Sequence, residues 1–125
     1  MRRPLSLLTL LLACAGCQSW HETTATSSLQ FRPGEQQTLR LRLPARERVA
    51  VRLEGQGNCA IAFDAHTPTG APMASGVLGA GSAASCDTSE GEIDVDFTAG
   101  PEGGTVAFEV YTTDGLSIEI VRHKQ

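Results

Sequence analysis

The chain has 125 residues, enough for one domain, with a formal net charge of −4 and only 5% aromatic residues. An acidic balance with so few aromatics gives no basis for a nucleic-acid-binding face or a base-stacking platform. The three cysteines beyond residue 16, Cys17, Cys59 and Cys86, have no Cys-x-x-Cys spacing, which argues equally against a zinc ribbon or a thioredoxin-like redox site.

The first element is Leu5 to Cys17, an apolar run preceded by Arg2 and Arg3 and closed by Ala13-Cys14-Ala15-Gly16-Cys17. It falls short of the roughly 20 apolar residues that span a bilayer, and its layout is that of a secretory signal. The segment resembles the lipobox of bacterial lipoproteins. What the resemblance implies is cleavage before a cysteine that carries the lipid, palmitate among its acyl chains. Cys17, behind Ala15-Gly16, is the expected residue and Cys14, behind Leu11-Leu12-Ala13, the alternative. An ordinary signal peptide cut at Ala13-Cys14-Ala15 without lipidation is the plain competing reading. In that family Gln18 in the second mature position goes with sorting to the outer membrane rather than retention in the inner one. The expected address is therefore the bacterial envelope, on the periplasmic side or the surface.

Removal of residues 1–16 takes away Arg2 and Arg3, leaving eight basic against 14 acidic side chains. Residues 17–28 are dominated by small hydroxylated side chains and show no apolar period, so they read as a flexible tether reaching roughly 18 Å. A β-sandwich domain is expected over 29–125.

From Leu29 on, apolar residues recur with period two. The sets are Leu39/Leu41/Leu43, Val49/Val51/Leu53, Cys59/Ile61/Phe63, Ile93/Val95/Phe97, Val106/Phe108/Val110 and Leu116/Ile118/Ile120. Strict alternation predicts strands with one buried and one wet face. Pro33-Gly34 closes an opening strand around 29–32, and Pro44 to Glu47 reads as a short hairpin connection. The segments 54–58 and 100–104 supply further turns, and Asp114-Gly115 is the strongest hairpin signal. The expectation is an all-β, antiparallel, jelly-roll-like sandwich of about seven to eight strands with one disulfide.

The stretch from His66 to Gly91 breaks the alternation and reads as a long loop, with Val77-Leu78 as a short edge strand. It is either a recognition loop or a tolerated insertion. A Cys59–Cys86 disulfide, expected of two cysteines in an oxidising compartment, would close a loop of 28 residues. Loop-closure entropy makes that worth about 3.5 kcal/mol.

The outward charges sort by sign along the chain, with Arg40, Arg42, Arg48 and Arg52 early and Glu92, Asp94, Asp96, Glu109 and Glu119 late. Either they pair across neighbouring strands, or the molecule has a basic and an acidic face.

For chemistry the sequence offers little. Gly79-Ala80-Gly81-Ser82 is no nucleophile elbow, and His66 is the one histidine well inside the domain. Asp87, Glu92, Asp94 and Asp96 could supply oxygen ligands to calcium, although alternating acids on a strand more often form a solvated face. No other cofactor is expected, and hydrolase chemistry at His66, Asp94 and Asp96 ranks last.

Phe31-Arg32-Pro33-Gly34-Glu35, Leu39-Arg40-Leu41 and Leu43-Pro44-Ala45 before Arg48-Val49 resemble the opening of bacterial pre-peptidase C-terminal domains. Phe97-Thr98-Ala99, Gly103-Gly104-Thr105, Val110-Tyr111 and Gly115-Leu116-Ser117-Ile118 are similar to their closing strands. Asn58-Cys59-Ala60-Ile61 departs from that family's Asp-rich third strand. The resemblance implies a jelly-roll-like sandwich with an accessory or binding role. Together these readings give a non-enzymatic, lipid-anchored envelope protein that binds another envelope protein. The alternative is a saccharide- or calcium-binding module, with cell-surface polysaccharide as partner.

Overall fold

The computed structural model describes residues 23–57, 60–112 and 115–123. Among these it contains nine strands and no helix. The strands are β1 (Thr23–Phe31), β2 (Gln36–Arg42), β3 (Val49–Gln56), β4 (Ile61–His66), β5 (Pro72–Leu78), β6 (Ala83–Thr88), β7 (Glu92–Ala99), β8 (Gly104–Thr112) and β9 (Ser117–Arg122). They form a four-stranded sheet in the order β1-β8-β3-β6 and a five-stranded sheet in the order β5-β4-β7-β2-β9. All pairings are antiparallel. The order 1-8-3-6 facing 5-4-7-2 is that of a jelly roll, with β9 added beside β2.

The alternating apolar residues close the space between the sheets. Leu39, Leu41, Val49, Val51, Leu53, Ile61, Ile93, Val95, Phe97, Val106, Phe108 and Val110 are all essentially inaccessible. Phe31 and Phe97 meet edge to face with ring centroids 5.6 Å apart, the arrangement their quadrupoles favour. Gln37 is a polar side chain sealed among them. Its Nε2 donates to the carbonyl of Gln30 on the opposite sheet at 2.8 Å, which satisfies the amide and ties β1 to β2.

Four sequence expectations are revised by this architecture. The connection over Pro44 to Glu47 is not a hairpin, because β2 and β3 belong to different sheets. Nor does Asp114-Gly115 join a hairpin: β8 lies in the four-stranded sheet and β9 in the five-stranded one, and Asp114 itself lies outside the described residues. Only β4 and β5 are consecutive strands paired with each other. Period two reports which face of a strand is buried, not which neighbour it bonds. Turn residues serve an arch between sheets as well as a hairpin.

The third revision concerns 66–91, which is not a loop but largely β5 and β6, the edge strands of the two sheets on one side of the sandwich. In β6 the period-two signal is carried by Ala84, Cys86 and Thr88, half-buried between exposed Ala83, Ser85 and Asp87. Side chains that small leave almost no trace in an apolar pattern. Last, β1 starts at Thr23, so residues 23–28 of the expected tether are strand, paired with β8 from Thr23↔Tyr111 onward.

Glycine is required where the arches approach other backbone. Gly103 has φ +68°, and a Cβ there would sit 2.5 Å from the carbonyl oxygen of Phe31. Gly91, at φ +80°, would place one 2.6 Å from that of Ala45.

Candidate functional site

The titratable residues that come together lie on the outer face of the five-stranded sheet, around Asp96 of β7. The register sets Asp96 beside Asp64 of β4 on one side and Thr38 of β2 on the other. His66, two residues along β4, is opposite Asp94. His123 follows β9, and its N–H donates to the carbonyl of Gln36 at 3.0 Å.

These groups form one directed chain of hydrogen bonds. The Thr38 hydroxyl donates to Asp96 Oδ1 at 2.6 Å and so accepts from His123 Nε2 at 2.7 Å. His66 Nε2 stands 2.8 Å from Asp96 Oδ2, and His66 Nδ1 stands 2.7 Å from the carbonyl oxygen of Thr67. A carbonyl and a carboxylate are both acceptors, so the ring is fully satisfied only as the imidazolium, donating from both nitrogens. The Thr67 carbonyl, followed by Asp96, accordingly raises the His66 pKa above its ordinary 6.5, against the opposing effect of burial. For Asp96, burial pushes upward, but the Thr38 hydroxyl and His66 outweigh it and hold the carboxyl below its ordinary 3.8.

Beside this chain is a polar cleft of about 290 Å³ lined by Gln36, Thr38, Asp96, Thr98 and His123. A second cleft of about 270 Å³ lies among the arches, lined by Arg46, Thr67, Thr69, Glu90 and Glu92.

The sign-sorted charges prove to be neighbours. Arg40 lies 3.7 Å from Glu119, and Arg42 lies 2.7 Å from Asp94 and 3.8 Å from Glu92. On the other sheet Arg48 forks onto Asp87 through two nitrogens, at 3.1 and 2.7 Å, and Arg52 reaches Glu54 at 3.3 Å. The calcium candidates are thereby distributed. Asp87 is on β6 with Arg48, Glu92 and Asp94 share Arg42, and Asp96 is held by His66 and Thr38. Among the described residues no three His, Cys, Asp or Glu side chains converge as a metal-binding group.

Cys86 carries a free thiol on β6, opposite Val51. Burial, then the neighbouring Asp87 carboxylate, pushes its pKa up to about 11. Its expected partner Cys59 lies outside the described residues, as do both lipidation candidates, Cys14 and Cys17.

Sequence reasoning singled out His66 and Asp96 but not their connection, and it passed over Thr38 and His123. Thr38 occupies an outward slot of the alternating β2, which is the only signal the sequence carries for it. The link to His123 depends on β9 pairing with β2. No family model and no curated protein matches this sequence.

Proposed function

We propose that this chain is a lipid-anchored protein of the bacterial envelope whose sandwich acts by binding another envelope protein and not by catalysis. The observation that carries this is the closed state of its principal polar constellation. Both nitrogens of His66, both oxygens of Asp96 and the Thr38 hydroxyl are already engaged with one another or with backbone. General acid–base work needs a group whose proton or lone pair is available to a substrate, and here the pairing consumes them. The anchor is Cys17, with Cys14 as the alternative, and Gln18 supports an outer-membrane address.

The test uses the full chain in its own envelope. Labelling with an alkyne-bearing palmitate should mark the unmodified protein and be lost in Cys17→Ser. Cross-linking of cells carrying the labelled protein should then yield one dominant protein adduct. Absence of label from the unmodified chain refutes the anchor, and absence of any adduct refutes the protein partner. The cleft beside Asp96, with the amide of Gln36 and the hydroxyl of Thr98 in its lining, supports a saccharide as the second reading, and retention of surface polysaccharide would favour it. A rise in thermal stability on adding calcium would favour the calcium-binding form instead.

A further inference from the structure

Strand β9 ends the five-stranded sheet. It is regular, with no proline and no register shift against β2, so it lacks two of the devices that usually protect a sheet edge. Because the His123 N–H donates to Gln36 O, the hydrogen-bonded pairs in the β2–β9 register are those of odd-numbered β9 residues, Ser117, Glu119 and Val121. By antiparallel alternation the N–H and C=O groups of Ile118, Ile120 and Arg122 then point away from β2. No described strand lies on that side.

The same isoleucines carry the exposed apolar surface. Their strand partners Leu41 and Leu39 are fully buried, so Ile118 and Ile120 also turn to the inner side of the sheet, yet they remain 37% and 44% exposed. The facing edge strand of the other sheet, β1, offers half-buried Ala25 and exposed Thr26, Ser27 and Ser28 before its buried end at Leu29.

We propose that this edge pairs with the same edge of a second copy. Ile118-Glu119-Ile120 reads identically in both directions, so it is its own antiparallel complement. A two-fold pairing centred on Glu119 sets Ile118 of one protomer opposite Ile120 of its partner, twice, on the apolar side. Those residues are the ones whose backbone groups point outward, so the ladder closes with the correct parity. On the outer side the two Glu119 carboxylates meet. Each has Arg40 at 3.7 Å, and the buried Nε of Arg40 has no hydrogen-bond partner among the described residues, so the counter-charge is already in place. A register centred on Ile120 would instead set Ile118 against Arg122. The product is an isologous, closed dimer with one continuous ten-stranded sheet.

The pairing is read by cross-linking in the full chain extracted in detergent. Directly opposed residues of a non-hydrogen-bonded antiparallel pair have Cα atoms about 4.5 Å apart, within disulfide range. Glu119→Cys should therefore form a covalent dimer on mild oxidation. Val77→Cys, 65% exposed on the edge at the far side of the sheet, should not, and the unmodified chain controls for its own cysteines. Adding Ile120→Lys to Glu119→Cys should reduce the dimer to the Val77→Cys level, with cooperative melting showing that the variant is folded. Sedimentation of the unmodified chain should give the mass of two protomers. Equal dimer from Glu119→Cys and Val77→Cys, or a single-protomer mass at the highest concentration, overturns the proposal. Cross-linking of Glu119→Cys to a different protein with no self-linked species overturns it in favour of a foreign strand.

Discussion

Asp96→Asn isolates the charge in the outer-face network while leaving its shape. The Asn oxygen still accepts from Thr38, but the imidazolium of His66 loses its carboxylate at 2.8 Å. The pair is part-exposed, 21% at His66 and 51% at Asp96, so solvent screening limits its worth to about 1 kcal/mol. Relief of the like-charge repulsion from Asp64, directly opposite, returns part of that. We expect a loss of about 0.5–1 kcal/mol, or roughly 2–8 °C in Tm for a domain of this size. The pH dependence gives the sharper readout. His66 is raised above 6.5 when folded, so its contribution is complete below that value and lost as pH rises through the folded one. Asp96 is lowered below 3.8, so its contribution is complete above that value and lost as pH falls through the folded one. The deficit of Asp96→Asn should therefore be greatest at about pH 5–6 and shrink on both sides. Thermal unfolding followed by circular dichroism across pH measures it. A deficit that stays constant from acid to alkaline pH would refute the ion-pair account and leave only packing.

Further expectations concern the frame. Gly103→Ala should cost more than Gly34→Ala, because both sites have positive φ but only the first brings a Cβ onto backbone, at 2.5 Å. The φ penalty alone is about 1–2 kcal/mol, and urea titration of both variants separates the two contributions. Phe97→Ala removes a ring 1% exposed and stacked edge-on against Phe31, for an expected loss of about 3–5 kcal/mol in the same titration. Cys86 is half-buried, and burial with the neighbouring Asp87 carboxylate pushes its thiol pKa up to about 11. It should therefore alkylate slowly in the native protein and fully on denaturation, and rapid alkylation of the native chain would contradict this.

The buried face of the sandwich was legible because large apolar side chains mark it. Every member of the Leu39, Val49, Ile93 and Val106 alternating sets is buried. β6 and most of β5 were not legible, although Val77-Leu78, read as a short edge strand, is the end of β5. As edge strands they are held from one side by partner backbone, and apart from Leu78 their inner positions are filled by small side chains, Ala74, Gly76, Ala84, Cys86 and Thr88. Ile118 and Ile120 follow the same alternation yet stay exposed, because burial depends on whether the opposite sheet extends that far, which no local pattern encodes. The network had the same character. His66 and Asp96 are conspicuous as types, but joining them to Thr38 and His123 requires a register linking residues 58 and 85 positions apart. Single-strand periodicity contains no such information.

The claim on which the binding account rests is that His66 and Asp96 form a closed, charged pair rather than an available base or ligand set. Long-range proton–nitrogen NMR of the imidazole rings in the ¹⁵N-labelled full chain tests it most directly. His66 should carry protons on both nitrogens at about pH 5–6, lose one only as pH rises above 6.5, and be unmoved by calcium or zinc. An unprotonated Nε2 at about pH 5–6, or joint displacement of the His66 and His123 signals by metal, would contradict the closed pair.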